Sequence, residues 1–177
     1  MLYEPKWSKA KKHLKSFTCD SLKSRIDFQV INYRKAHDQL GRAVITVDKI
    51  EKLSMCTITA ERKEYYKELE IRQQTDDFNY DDVSHNRHLQ DQAHQMLKKE
   101  AIYGQYDFFS GIEQFLHSPI EESLKSTDSF ILILCVIDRR VGKRTLRKLD
   151  KQMQEAEPLV QYFYHLRCLA ENLRIAQ

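Results

Sequence analysis

Glycine and proline are scarce in this 177-residue chain, with four of one and three of the other, against roughly 7% and 5% in average usage. Turns are therefore few and helices many. Gly41, Gly104, Gly111 and Gly142 stand too far apart for a GxGxxG or GxxxxGK[ST] loop, which excludes a phosphate-cradling nucleotide loop of either kind. Neither a GxSxG elbow nor an HExxH motif occurs. Long apolar runs are missing too: the longest, residues 130–137, has eight residues, and a membrane-spanning helix needs about twenty. Cys19, Cys56, Cys135 and Cys168 form no CxxC pair, and three of them have apolar neighbours, which suits reduced thiols rather than a disulfide framework. The first six residues lack the charged-then-apolar build of a secretory signal, so the expectation is a cytoplasmic protein with no membrane contact and no cofactor.

What is present points to an ordered chain. Eighteen aromatics (Trp 1, Tyr 9, Phe 8) and 41% apolar side chains suffice for one core of ordinary domain size, and a single compact unit over 1–177 is expected. The net charge of +3 conceals a pattern. Residues 1–60 carry 12 Lys/Arg and 6 Asp/Glu, residues 61–128 carry 8 and 15, and residues 129–177 carry 9 and 5. The blocks are thus +6, −7 and +4. They either neutralise one another in the fold or leave a basic face opposite an acidic one.

Apolar residues at Trp7, Ala10, Leu14 and Phe17 give a helical period, with Ser8 as its expected N-cap. Residues 26–33 alternate as a half-buried strand, and 43–47 and 53–58 flank a polar turn at 48–51, which predicts a β-hairpin. The portion 1–60 is thus helix and sheet. Residues 61–104 read as charged helices around an acidic loop at 73–84, with an exposed helix over 60–72 striped by Tyr65, Tyr66 and Leu69. Ser84 is expected to cap the next helix, which faces Leu89, Ala93, Met96 and Leu97 to one side and ends near Gly104. Over 105–177 everything reads as short helices. Ser118, Pro119 and Glu121 have the spacing of a capping box. Residues 130–137 fit a buried strand or a buried helix; helix is preferred because Asp128 can cap it and Gly142 can end it. The fold class is α+β: an N-terminal helix, a small antiparallel sheet of a strand plus a hairpin, then a C-terminal bundle of short helices.

Four groups of residues carry chemistry. His85, His88, Asp91 and His94 recur every third position, but successive steps of three rotate around a helix, so His94 lies opposite His85 and a solvated polar face outweighs a metal site. Asp27, Asp48 and Glu51, with Lys52, lie on or beside the strands; these are the residue types of a metal-dependent nuclease or hydrolase, although turn and strand-surface roles explain them equally. Tyr33, Arg34, His37, Asp38 and Arg42 gather polar groups at a strand end, where an anion or carboxylate can bind or where ion pairs fix the sheet edge. The eleven residues 138–148 hold six Lys/Arg: Arg139, Arg140, Lys143, Arg144, Arg147 and Lys148. Centred on a helix-to-helix turn, they suit phosphate contacts, and Lys9, Lys11, Lys12 and Lys15 can extend the footprint. They can equally pair with the acidic middle block.

Five blocks carry a resemblance: Trp7-Ser8-Lys9-Ala10-Lys11-Lys12, Tyr33-Arg34-Lys35-Ala36-His37-Asp38, Ile45-Thr46-Val47-Asp48, Asp138-Arg139-Arg140-Val141-Gly142-Lys143-Arg144 and Val160-Gln161-Tyr162-Phe163-Tyr164. In that order they resemble a family of small bacterial proteins with no assigned activity. The resemblance implies a bacterial cytosolic protein and supplies no catalytic residue. The reading of the residues is therefore a non-enzymatic protein that binds a macromolecule, protein or nucleic acid, through Arg139, Arg140, Lys143, Arg144 and Arg147, with Arg34, His37 and Arg42 secondary. The alternative is a metal-dependent hydrolase using Asp27, Asp48 and Glu51. A third reading, a binder of one protein partner, requires an exposed apolar patch around Phe78 and Tyr80.

Overall fold

The computed structural model describes residues 7–33 and 40–173. Helix α1 (Trp7–Phe17) precedes three strands, β1 (Ile26–Asn32), β2 (Gly41–Val47) and β3 (Ile50–Cys56), which pair antiparallel in the order β1-β2-β3. Ile26 lies opposite Val47, Phe28 opposite Ile45, and Ile45 opposite Leu53. This register turns Ile26, Phe28, Ala43, Ile45, Val47, Leu53 and Met55 into the main core, as a period of two requires. The hairpin turn is two residues, Asp48 and Lys49, both left-handed at φ 51° and 68°, as a type I′ turn demands. Ile50 and Glu51, expected in the turn, are strand residues instead.

Helix α2 (Thr57–Thr75) and helix α3 (Val83–Lys99) form a hairpin with its own smaller cluster of Ile71, Leu89 and Ala93, flanked by Met96. Thr57 and Ile58, β-branched and expected to end the last strand, open α2. Tyr65 and Tyr66, the apolar stripe of the expected exposed helix, are both exposed, and Ala60, Ile71 and Arg72 are among the residues that α2 buries. Asp82, two residues before the expected Ser84, caps α3 by accepting from His85 N at 3.0 Å. A carboxylate there also gains from the helix dipole, an advantage Ser lacks.

Five more helices follow: α4 (Gln105–His117), the single turn α5 (Ile120–Ser123), α6 (Ser129–Ile137), α7 (Lys143–Gln154) and α8 (Pro158–Ala170). All nine residues of α6 are buried, and α6 lies against α4, α5 and α8. The all-apolar run thus resolves as a central helix. Asp128 caps it as expected, accepting from Phe130 N at 2.9 Å. Gly142 does not end it; α6 closes at Asp138, and Gly142 is the N-cap of α7. The expected capping box also fails, because Ser118 already serves as the C-cap of α4 and Pro119 precedes α5. At Gly111 in α4 a Cβ would lie 2.7 Å from the Phe130 ring, so only glycine lets α4 approach α6 this closely. No helix among the described residues is long and apolar enough to cross a membrane.

Candidate functional site

The end of α1 and the link after α6 are sewn together by backbone. Thr18 and Asp138 form an isolated antiparallel bridge, Cys19 N donates to Ile137 O at 2.9 Å, and Arg139 N donates to Phe17 O at 2.7 Å. Two of the basic stretches of the sequence therefore meet at one junction. Three buried or half-buried groups hold the link in place. Asp138, 1% exposed, accepts from Arg140 N at 2.7 Å and pairs with the Arg140 guanidinium at 2.8 Å. The Arg140 guanidinium also lies over the Phe17 ring, 4.2 Å from its centroid, a cation–π contact that arginine favours. Arg167 in α8, 3% exposed, donates to the carbonyls of Ile137, Asp138 and Val141 at 3.1 to 3.3 Å. Its charge is met by Glu171, whose carboxylate also accepts from Ser21 and pairs with Lys143 at 3.5 Å. Burial pushes the Glu171 carboxyl up, but Ser21, Arg167 and Lys143 together hold it below the usual carboxylate range.

From this anchored link α7 departs with Gly142 as its N-cap and no side-chain cap. Leu146 and Met153 face inward, with Leu149 half-buried between them. The opposite face presents Arg144, Arg147, Lys148 and Lys151, all exposed, at positions i, i+3, i+4 and i+7 of one helical stripe. None of these four, nor the Arg139 side chain, has an ion-pair or hydrogen-bond partner among the described residues. Arg140 and Lys143 are committed within the protein; Arg139, Arg144 and Arg147 present their charge outward. Lys151 escaped the sequence reading, although its i+7 spacing from Arg144 was the signal.

Among the described residues no ion pair joins one charge block to another. Among the described residues every ion pair closes inside 1–60 (Lys11 and Lys15 with Asp27, Lys23 with Asp20, Arg25 with Asp48, Arg42 with Glu51), inside 61–128, or inside 129–177. The acidic middle binds its own cations. Arg72, 1% exposed, is held by Glu68 at 2.7 Å and Asn86 at 2.7 Å, a buried centre that the i,i+4 spacing of Glu68 and Arg72 could have flagged.

The other candidate residues are placed as follows. Arg34 and His37 lie outside the described residues, while Arg42 pairs with Glu51 at 2.9 Å. Asp27, Thr46 and Glu51 share one row across the sheet. Each of the three carboxylates has its own cation, with Arg25 on Asp48 at 2.6 Å. Burial raises the Asp27 carboxyl, but Lys11 and Lys15 hold it below the usual range; a hydrogen bond from Arg25 does the same for the exposed Asp48. Among the described residues no group of three His, Cys, Asp or Glu is placed to hold a metal ion. Instead of gathering with its neighbours, His85 pairs with Asp77, and His94 bridges Glu64 (Nδ1, 3.1 Å) and Asp107 (Nε2, 2.9 Å). His94 thereby ties α2 and α3 to α4, and the Asp107 hydrogen bond, working against burial, raises its affinity for the proton. Cys19, Cys56, Cys135 and Cys168 are all free thiols.

A helix, a three-stranded meander and a helical set carrying one basic helix face define an α+β protein with the candidate site on α7 and its entry link. The chain belongs to the SF0329 protein family, whose profile matches residues 6–168. The match takes in, over their whole length, all five blocks on which the resemblance rests. No curated protein and no solved structure matches the chain.

Proposed function

We propose that the protein is a non-enzymatic, cytoplasmic bacterial protein that binds the phosphate backbone of a nucleic acid through the exposed stripe of α7 and the adjoining Arg139. The observation that carries this reading is the confinement of ion pairs within each charge block, which leaves the Arg139, Arg144, Arg147, Lys148 and Lys151 side chains without partners among the described residues. Arginine forks suit phosphate oxygens, and a helix start without a side-chain cap adds amide donors beside Arg144. Four free thiols suit a reducing compartment. The alternative, a metal-dependent hydrolase on Asp27, Asp48 and Glu51, is less well supported because each carboxylate is already engaged by a lysine or arginine.

Fluorescence anisotropy with labelled duplex DNA and single-stranded RNA at low salt tests the reading. The expected result is saturable binding that is lost in the double variant Arg144→Glu, Arg147→Glu, whose positions face solvent. Absence of binding to both nucleic acids overturns it, and in that case binding to an acidic polypeptide such as polyglutamate would assign the stripe to a protein partner instead.

A further inference from the structure

Helices α2 and α3 form an arm. Their apolar cluster of Ile71, Leu89 and Ala93 is separate from the main core, and α3 packs chiefly on α2. At the base of the arm Gln105 N donates to Thr57 Oγ1 at 3.2 Å, and Lys98 pairs with Asp128 at 2.6 Å. At its far end Phe78 and Tyr80 are 50% and 58% exposed. One turn of α3 from Lys98 towards that end, a polar cluster ties the arm to the start of α4. It consists of His94 on α3, Glu64 on α2, and Tyr106 and Asp107 on α4.

The donors and acceptors of this cluster set its protonation. His94 Nδ1 lies 3.1 Å from Glu64 and Nε2 lies 2.9 Å from Asp107. An ionised carboxylate only accepts, so both ring nitrogens donate, and only the imidazolium has two N–H groups. The Tyr106 hydroxyl donates to Glu64 at 3.4 Å with its ring 5.7 Å from the imidazole, and Asp107 also accepts from Gly104 N at 2.7 Å. On α3 itself the nearby cation Lys98 is taken by Asp128, and Glu61 of α2 adds negative charge beside Tyr106. Among the described residues His94 is thus the one cation paired with Glu64 and Asp107. Without its proton, α2 and α4 face each other with like charges, and one carboxylate meets a ring lone pair.

We propose that His94 is a proton-operated clasp: its imidazolium locks the α2/α3 arm against the start of α4, and release of the proton to solvent frees the arm to swing about its base as a folded unit. The helices persist because Ile71, Leu89 and Ala93, together with the Glu68–Arg72 pair, close within the arm. The pivot is where the chain enters at Cys56 and Thr57 and leaves through residues 100–104, a link in which Ala101 takes a left-handed φ of 55°. The swing carries the exposed Phe78 and Tyr80 with it. It involves no residue of the α7 stripe and does not depend on nucleic-acid binding.

Distances between two spin labels on the full chain, measured by double electron–electron resonance, test the proposal. The labels sit at Gln74→Cys near the far end of α2 and at Leu169→Cys on α8, both exposed positions. The background is Cys56→Ser, the other three cysteines being buried. The expected result is a narrow distance distribution at pH 6 that broadens at pH 9. His94→Gln is expected to be broad at both pH values, and His94→Lys, which keeps a cation at both, to be narrow at both. Helix content by circular dichroism is expected to be the same throughout. A wild-type distribution of equal width at the two pH values, or a His94→Gln chain as narrow as wild type at pH 6, would overturn the proposal. So would broadening accompanied by loss of helix content, which means that the arm melts instead of swinging, or a His94→Lys chain that broadens at pH 9 as wild type does, which means that another group titrates.

Discussion

Arg139 and Phe17 are joined by a 2.7 Å hydrogen bond from the amide of Arg139 to the carbonyl of Phe17, although Arg139 lies 122 positions beyond Phe17 in the sequence. That bond closes the junction on which the account rests. It brings the end of the lysine-rich first helix to the start of the arginine-rich link, and it fixes where α7 begins. The link itself has few apolar anchors of its own, Val141 being the buried one, so polar groups hold it: Asp138 from within and Arg167 from α8.

Arg167→Met should therefore destabilise the protein by about 3 kcal/mol, since the carbonyls of Ile137, Asp138 and Val141 lose a buried cationic donor while the apolar stem is kept. For a chain of this size that is a fall in Tm of about 6–12 °C, read by differential scanning calorimetry. A melt within a degree or two of wild type would mean that Arg167 does not hold the link.

Gly111→Ala tests the close approach of α4 and α6. The new methyl group would meet the Phe130 ring at 2.7 Å, and Phe130 is 1% exposed with nowhere to retreat. Alanine improves helix propensity, but overpacking of this kind costs about 1–3 kcal/mol. Urea denaturation should show net destabilisation; a stabilised variant would contradict the packing described.

His94 gives stability a defined pH dependence. Its folded pKa is raised above the unfolded value near 6.5, chiefly by the hydrogen bond to Asp107 and then by Glu64. A raised pKa means that the stabilisation is fully present below pH of about 6.5 and is lost as pH climbs through the folded value. His94→Gln should accordingly lose most stability near pH 6 and approach wild type near pH 9. Equal losses at the two pH values, measured by urea titration, would show that the pair with Asp107 is not a charged one.

Several of these features were legible in the sequence and others were not, for physical reasons. The alternation at Ile26 to Val30 identified the edge strand, because burial on one face imposes a period of two, and the β-branched run at 43–47 identified the central strand, whose residues 43–47 are all buried. The Leu89, Ala93 and Leu97 stripe identified α3 in the same way. Helix ends were harder, since neighbouring helices compete for the same residue: Ser118 ends α4 and so does not cap α5, and Gly142 begins α7 after a bridge between Thr18 and Asp138 has ended α6. The basic segment at 139–148 was visible, but its division into committed and outward-facing members was not. Asp138 claims Arg140 and Glu171 claims Lys143. Glu171, lying 28 positions beyond Lys143, pairs with it only because α8 returns beside α7.

The salt dependence of nucleic-acid binding tests the central claim most directly. If Arg139, Arg144, Arg147 and Lys148 each neutralise one phosphate of duplex DNA, log K should fall against log salt with a slope of about −3 to −4. Arg144→Ala should make that slope shallower by about 1, as loss of one phosphate contact requires. Binding with no salt dependence, or a slope unchanged by removing Arg144, would contradict the assignment of the α7 stripe as the phosphate-binding surface.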